Sequence, residues 1–322
     1  MKRSTFIALS CLAALAPAAF AQGSSDYPSK PVRVLVGYPP GGASDIIARL
    51  VSEELAKLNK QPFVVENRPG VGGMLALQQL TREAPDGQTL GLGVSGTLTT
   101  GPHLQKNKLY DPLTDFASVG PVAKAPMVLL AYPGYKYDTV NAVVREARAK
   151  PGEVMFASGA QAFELALQLL NTQAGIKITS VPYPGGAKAS IDVMSGRVPL
   201  MVDTIGAQQE NIKAGKLKAL AVLDSRRSPV LPDVPTMQQS GVSGYQAVGW
   251  TSLVAPKGTP DAVVNKLNAQ VQQILAMPHI RDKLLGIGFE PWPGSAKQLT
   301  ETVATEYAKW GEVVRAAGMQ PQ

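Results

Sequence analysis

Cysteine and histidine are nearly absent from this chain of 322 residues. Cys11 is the single cysteine, and His103 and His279 are the only two histidines. A lone cysteine cannot form an intrachain disulfide, and two histidines far apart in sequence do not make a His-rich metal site. The Gly-x-Ser-x-Gly element of many serine hydrolases is also missing. We therefore expect no metal, no cofactor and no nucleophilic catalytic centre.

Long hydrophobic runs are also lacking, except at the N-terminus. There two basic residues precede an apolar stretch from Phe6 to Phe20, which ends in the small-x-small triplet Ala19-Phe20-Ala21. This pattern predicts a secretory signal peptide over residues 1–21, cleaved on export. The stretch is too short to span a bilayer. Cleavage of the signal peptide also removes Cys11, so the mature chain is predicted to contain no cysteine.

Charge of one sign is only mildly in excess, with 31 Lys and Arg against 24 Asp and Glu. The basic residues are scattered. The sequence has no stripe of alternating basic and aromatic residues, so we do not predict a nucleic-acid partner. A modest positive balance suits a small anionic ligand. Hydrophobic residues make up 45% of the chain, as in ordinary globular proteins. The length favours two domains.

One stretch combines a strand, a glycine-rich loop and the start of a helix. Val32–Val36 is short and β-branched, Pro39–Gly42 ends it, and apolar residues then recur three to four apart from Ile46 to Leu58. Ser44 or Asp45 is predicted to cap the helix. Such a loop presents unpaired backbone N–H groups to an anion. The alternative is an ordinary β-to-α turn with no ligand.

The segments that follow repeat this rhythm of strand and helix. It predicts an α/β fold with parallel, doubly wound sheets, whose ligand lies beyond the carboxyl ends of the strands. Two extended crossings, near Val122–Val128 and Tyr245–Val254, predict two domains. Residues 26–124 plus 250–322 would form the first domain and residues 125–249 the second. The last helix, Leu299 to Ala317, is predicted to pack on the first domain.

The segment Gly91-Leu92-Gly93-Val94-Ser95-Gly96 matches the spacing of the dinucleotide-binding fingerprint. Its glycines begin inside a predicted strand, and Thr97 to Pro102 does not read as an opening helix. Because the motif is meaningful only between a strand and a helix, we do not predict a nicotinamide or flavin cofactor.

Several short motifs occur in an order typical of one known family. They are Tyr27-Pro28-Ser29-Lys30-Pro31-Val32, Tyr38-Pro39-Pro40-Gly41-Gly42-Ala43-Ser44-Asp45, Val65 to Gly73, Pro85 to Leu90, Val181-Pro182-Tyr183, Ala214 to Val222 and Leu231 to Thr236. The chain resembles the Bug-type extracytoplasmic solute receptors, which are the substrate-binding proteins of tripartite tricarboxylate transporters. The resemblance covers essentially the whole mature chain.

The resemblance implies two domains joined by a two-strand hinge, as in periplasmic binding proteins of the Venus-flytrap type. It also implies a small organic carboxylate held between one loop from each domain, a membrane permease as partner, and no enzymatic activity. A monomer is expected. Carried over by position, the ligand-binding residues are Tyr38, Pro40, Gly41, Gly42, Ala43, Ser44, Asp45, Ser95, Thr97, Ser158, Gly159, Ala160, Gln161, Glu164, Asp203 and Thr204.

The second loop departs from the family pattern Gly-x-Gly-Ser/Thr-x-x-His. Ala160 replaces the second glycine, and Glu164 stands where the histidine is expected. A carboxylate facing the cleft would repel a second carboxyl group of a ligand and favour one with a neutral or cationic group there. The alternative is that Glu164 turns away from the cleft.

Two other functions fit the same sequence. A ligand-loaded sensor uses the same domain closure to address a signalling partner. An exported α/β hydrolase would use a carboxylate pair, Asp45 with Asp203 or Glu164. For Asp45 the simpler interpretation is a first-turn acid stabilised by the helix dipole.

Overall fold

The structure is a computed structural model that describes residues 27–136 and 138–321. The predicted signal peptide lies outside the described residues. Two mixed β-sheets, each with hydrophobic clusters on both faces, form the cores of a two-domain α/β fold. Within the described ranges, no helix is long and apolar enough to cross a membrane.

Eleven strands and nine α-helices are labelled here in chain order over the described part of the chain. The strands are β1 (Val32–Val36), β2 (Phe63–Asn67), β3 (Thr89–Val94), β4 (Phe116–Ala125), β5 (Met127–Ala131), β6 (Met155–Ser158), β7 (Thr179–Pro182), β8 (Leu200–Thr204), β9 (Lys218–Val222), β10 (Gly249–Pro256) and β11 (Glu290–Pro291). The helices are α1 (Ala43–Asn59), α2 (Met74–Leu80), α3 (Val140–Ala149), α4 (Gln161–Ala174), α5 (Gly186–Met194), α6 (Ile205–Lys213), α7 (Asp261–Leu275), α8 (Pro278–Gly286) and α9 (Ala296–Ala316).

The first sheet has the strand order β11-β4-β10-β3-β1-β2. Its strands β1, β2 and β3 are parallel, as the sequence predicts. β10 runs antiparallel to both β3 and β4, because it enters this sheet from the second one in the opposite direction. The sheet is therefore mixed, and the expectation of a wholly parallel sheet is corrected on this point.

The second sheet has the order β7-β6-β8-β5-β9. β6 is parallel to β7 and β8, whereas β5 is antiparallel to β8 and β9. Alternate residues of β5 enter different clusters: Val128 and Leu130 lie on one face, and Leu129 and Ala131 on the other. Burial on both faces explains why this strand reads as a continuous apolar run.

The chain passes between the two sheets at two places. β4 ends at Ala125 and β5 begins at Met127, so Pro126 marks the first crossing. β10 begins at Gly249 after the return from the second sheet.

The last helix, α9, packs against both sheets. Leu299 and Val303 pack in a cluster of the first sheet, whereas Trp310, Val313 and Val314 pack in a cluster of the second. The prediction that this helix packs on the first domain is therefore right for its first half and wrong for its second half. Its amphipathic pattern shows that it packs, but not against which partner.

Candidate functional site

The first predicted loop joins β1 to α1, and its tip is open to solvent. Pro40, Gly41, Gly42 and Ala43 are exposed, and Ser44 is half-buried. The N-cap is Gly42, and no side chain caps the helix. The predicted capping by Ser44 or Asp45 is therefore wrong. Since first-turn N–H groups have no partner within the helix, this end of α1 remains a place where an anion can be bound.

Asp45 is a buried anchor of this loop. Its carboxylate accepts hydrogen bonds from the Arg49 guanidinium (2.9 Å), the backbone N–H of Gly41 (2.9 Å) and the side-chain amide of Asn67 (2.9 Å). The hydrogen bond from Arg49 is the main cause that lowers the pKa of Asp45 to about 2. The carboxylate is thus ionised and already engaged, which favours a structural role over one in an acid–base pair.

Tyr38 fixes the same loop to the segment after β2. Its hydroxyl donates to the Gly72 carbonyl (3.0 Å), and its own carbonyl accepts from Asn67 (3.0 Å). A Cβ at Gly73 would lie 2.9 Å from the Tyr38 ring, so only glycine permits this contact. A Cβ at Gly96 would lie 3.8 Å from the Tyr38 hydroxyl, which places the end of β3 beside the loop.

Ser95 and Thr97 follow β3, in a part of the chain that was not expected to be helical. Gly96–Thr100 forms a π-helical turn, supported by side-chain hydrogen bonds such as Thr99 Oγ1 to the Ser95 carbonyl (2.7 Å). Thr97 is buried, and its hydroxyl bonds both the N–H and the carbonyl of Val94, so it closes the end of the strand. Ser95 is half-buried and its hydroxyl accepts weakly from the Trp250 N–H (3.4 Å).

The second predicted loop joins β6 to α4. Ser158 is buried, while Ala160, the N-cap of α4, and Gln161 are exposed. Gly159 lies against the start of α5, since a Cβ there would come within 2.6 Å of the Gly186 nitrogen. The loop before α5 is therefore part of this region.

That third loop, Pro184–Gly186, is not among the predicted site residues. A signal was present, because Tyr183-Pro184-Gly185-Gly186 repeats the Tyr-Pro and Gly-Gly pairs of Tyr38 to Gly42. α1 begins directly after the second glycine, Gly42, and α5 begins at the second glycine, Gly186.

Glu164 lies in the first turn of α4 and is half-buried. Its carboxylate accepts hydrogen bonds from Gln168 (2.8 Å) and from the hydroxyl of Ser180 on β7. Both partners lie in the same domain as Glu164. The carboxylate is thus engaged by α4 and β7, in keeping with the alternative that it turns away from the cleft.

Asp203 and Thr204 end β8 and lead into α6. Asp203 is buried and accepts from the Thr204 N–H (2.7 Å) and the Gln208 amide (2.7 Å). Burial raises the pKa of Asp203 above its usual range. A Cβ at Gly186 would lie 2.9 Å from this carboxylate. Asp203 therefore lies close to both the loop after β6 and the loop before α5, and the three form one group.

The two groups of loops approach each other beside the strand crossings. Ser95 and Gly96, which follow β3, and Ala162 and Leu165 from α4 line one cavity of about 40 Å³ together with Trp310 of α9. The structure thus brings the end of β3 next to the start of α4. Tyr38 to Asp45 and Ser158 to Gln161 flank these two elements on their respective sheets.

Comparison with known proteins identifies the family. The sequence model of the tripartite tricarboxylate transporter family receptor matches residues 47–319. The chain belongs to this family. Protein BugT of Bordetella pertussis is 34% identical over 296 residues, which cover 91% of this chain and 90% of BugT. The predicted resemblance to the Bug-type receptors is therefore confirmed.

Two solved structures of relatives show the same two-domain fold. The R. palustris protein Rpa4515, solved with adipate, has a TM-score of 0.73 and 33% identity, covering 92% of this chain and 100% of that one. MatC from Rhodopseudomonas palustris, solved with bound malate, has a TM-score of 0.70 and 32% identity, covering 89% and 100%. The family is one of solute-binding receptors, not of enzymes.

Proposed function

We propose that this protein is a periplasmic receptor that captures a small carboxylate between its two domains and delivers it to a tripartite tricarboxylate-type permease. The observation that carries the proposal is the pair of relatives, each about one-third identical along nearly the whole chain, that were solved with the dicarboxylates adipate and malate. A predicted signal peptide supports export to the periplasm. The permease is proposed from the family alone.

In this proposal the ligand carboxylate is bound mainly by backbone N–H groups. The exposed tip Pro40 to Ala43 and the exposed residues Ala160 and Gln161 each lie at a helix start, where such groups are unpaired. Ser44, Ser95 and Ser158 add hydroxyls at the same ends of the strands. Tyr38, Asp45, Thr97 and Asp203 hold these loops in place, because their polar groups are engaged by neighbouring backbone and side chains.

Closure of the two domains is the second part of the proposal. We place the domain boundaries at the crossings, with residues 26–124 plus 250–322 in the first domain and 125–249 in the second. A ligand held by loops of both domains binds the closed arrangement more tightly than the open one. The difference between these two affinities determines how strongly the ligand favours closure. Such a protein needs no catalytic group, and we propose that it acts as a monomer without enzymatic activity.

The experiment is thermal unfolding of residues 22–322 with a panel of mono-, di- and tricarboxylates that includes adipate and malate. A ligand at a thousandfold excess over its Kd stabilises the folded state by about 4 kcal/mol, which raises the midpoint by several degrees. A selective rise with one or a few carboxylates supports the proposal. No rise with any of them, together with no small molecule released on denaturation and seen by mass spectrometry, contradicts it.

A further inference from the structure

A large groove lies between the domains, apart from the predicted ligand loops, and has a volume of about 860 Å³. The segment 226–232, which follows β9, forms one wall, and α7, α8 and β11 form the other. Val230, Leu275 and Leu285 give the groove an apolar floor, and four prolines border it. We call it the arginine groove, because Arg226, Arg227 and Arg281 line it.

The positive charge of the arginine groove is largely uncompensated. Arg226 and Arg281 are exposed, and neither forms an ion pair within residues 27–136 and 138–321. Arg227 donates to the side-chain carbonyl of Gln239 (2.9 Å) and to the backbone carbonyl of Pro232 (3.0 Å), both uncharged. Glu290 also lines the groove and accepts from Ser228 (2.6 Å). The surface favours an anionic occupant, and guanidinium groups suit carboxylates in particular.

The occupant suited to this shape is an extended peptide with acidic side chains. A groove with an apolar floor and donors at its rim is a common way of binding extended segments, whose side chains supply specificity. A free carboxylate of the size of malate would leave most of the volume and the apolar floor unused. The charge and the shape together point to a segment of a protein partner.

Strand order places the arginine groove on the other side of the hinge from the ligand loops. In the first sheet β4 and β10, which carry the crossings, lie between β11 at the groove and β3 and β1 at the ligand loops. In the second sheet β5 lies between β9 at the groove and β8 and β6 at the loops. A rotation about the crossings that narrows the ligand cleft therefore widens the groove.

The domains touch directly at the hinge end of the groove. Gly206 at the start of α6 lies against Gly288 after α8, and a Cβ on either residue would collide with the backbone of the other. The hydrogen bond between Ser228 and Glu290 joins the two walls of the groove itself. A rotation of the domains about the crossings would alter both contacts, which would couple the width of the groove to the width of the cleft.

We propose that the arginine groove is the docking site for an extended acidic segment of the membrane partner, and that it widens when the ligand cleft closes. The inference rests on the proposed receptor function for the identity of the partner. The acidic chemistry of the segment rests on the groove alone. A partner that binds here would distinguish the loaded receptor from the empty one by the width of the groove.

The probe is a fluorescein-labelled hexaglutamate peptide, with its binding to residues 22–322 followed by fluorescence anisotropy at 50 and 150 mM salt. The test variant is Arg226→Glu/Arg281→Glu. The matched control is Arg82→Glu/Arg145→Glu, at two other exposed arginines, which lowers the net charge by the same amount. We expect affinity to fall about tenfold or more in the groove variant and less than about threefold in the control. Equal losses in the two variants, or no binding to the unsubstituted chain, would overturn the proposal.

A second measurement separates the groove from the cleft. The groove variant should keep the full rise in unfolding midpoint with adipate or malate, whichever stabilises the unsubstituted chain, because its arginines are remote from the ligand loops. A saturating concentration of that carboxylate should change the affinity of the receptor for the peptide. By linkage, the peptide should change the affinity of the receptor for the carboxylate by the same factor. An unchanged peptide affinity would overturn the coupling. If neither carboxylate binds, the peptide titration still decides the docking site, and only the proposed function is affected.

Discussion

The Lys124 ammonium, at the end of β4 in the first sheet, lies 3.2 Å from the carboxylate of Asp224, which follows β9 in the second sheet. Both side chains are largely removed from solvent, at 14% and 4% exposure. Asp224 also accepts a hydrogen bond from Gln246 (2.9 Å), which belongs to the returning crossing. One buried ion pair therefore joins the two sheets beside the hinge.

Removing one member of this pair should be costly. Asp224→Asn leaves the Lys124 ammonium buried without a counter-charge, and we expect the free energy of unfolding to fall by about 3 kcal/mol or more. Lys124→Met added to that variant should recover part of the loss, because the uncompensated charge is then gone. Urea denaturation of the single and double variants measures both effects. Glu210→Gln, which breaks the exposed pair with Lys213, is the control and should change stability by less than about 1 kcal/mol. A double variant less stable than Asp224→Asn would refute this account.

Asp45 should make stability depend on pH in the acid range. Its pKa is about 2 in the folded chain and about 3.9 in an unfolded one. A lowered pKa means that the stabilisation, about 2 kcal/mol, is fully present above pH 4 and is lost as the pH falls towards 2. Asp45→Asn should remove this contribution, so the two stability curves converge between pH 4 and 2. Asp282→Asn, at an exposed carboxylate, should leave the curve unchanged. Parallel curves for Asp45→Asn and the unsubstituted chain would contradict the assigned role.

Gly159→Ala should disturb the second ligand loop. The added Cβ would lie 2.6 Å from the Gly186 nitrogen, so the starts of α4 and α5 must move apart. We expect a lower unfolding midpoint and at least about tenfold weaker carboxylate binding, measured by calorimetry. Gly286→Ala is the matched control, since its Cβ would meet nothing within 4 Å, and it should bind normally. Normal binding by Gly159→Ala would show that the packing of this loop does not shape the site.

Glu164→Gln tests whether the carboxylate influences the ligand. Because Ser180 and Gln168 already engage it, we expect the affinity for dicarboxylates to change by less than about threefold. The amide keeps an acceptor for Ser180, so the fold should be retained. A gain of tenfold or more for dicarboxylates, with no gain for monocarboxylates, would instead show that Glu164 faces the cleft and repels a second carboxyl group.

Much of the fold could be predicted because local pattern and tertiary environment agree. β1 was predicted with the bounds that the structure gives, because its short β-branched run, ended by glycine and proline, determines both the strand and its ends. The π-helical turn at Gly96–Thr100 was missed. Besides its backbone hydrogen bonds, threonine side chains bond the backbone there, and such bonds leave no hydrophobic period that a sequence pattern displays.

The loops of the candidate site could be predicted as local structures, but the contacts between them could not. The glycines and helix starts after β1 and β6 follow from composition and spacing. The role of Asp45 depends on Asn67, which lies 22 residues away, and that of Gly159 depends on Gly186. Such contacts are set by the order of strands in the sheet, which the sequence of one chain does not display.

The most direct test of the central claim is calorimetric titration of the carboxylate that gives the largest rise in midpoint into two N-cap variants, Gly42→Val and Ala160→Val. Both residues are exposed and have extended backbone conformations that accept a branched side chain. The variants should therefore fold with unchanged midpoints. If the carboxylate lies between these helix starts, each substitution obstructs its approach to the backbone N–H groups, and affinity falls by about tenfold or more, which is about 1.4 kcal/mol. Affinity equal to that of the unsubstituted chain in both variants would contradict the claim that the ligand is bound between these two loops.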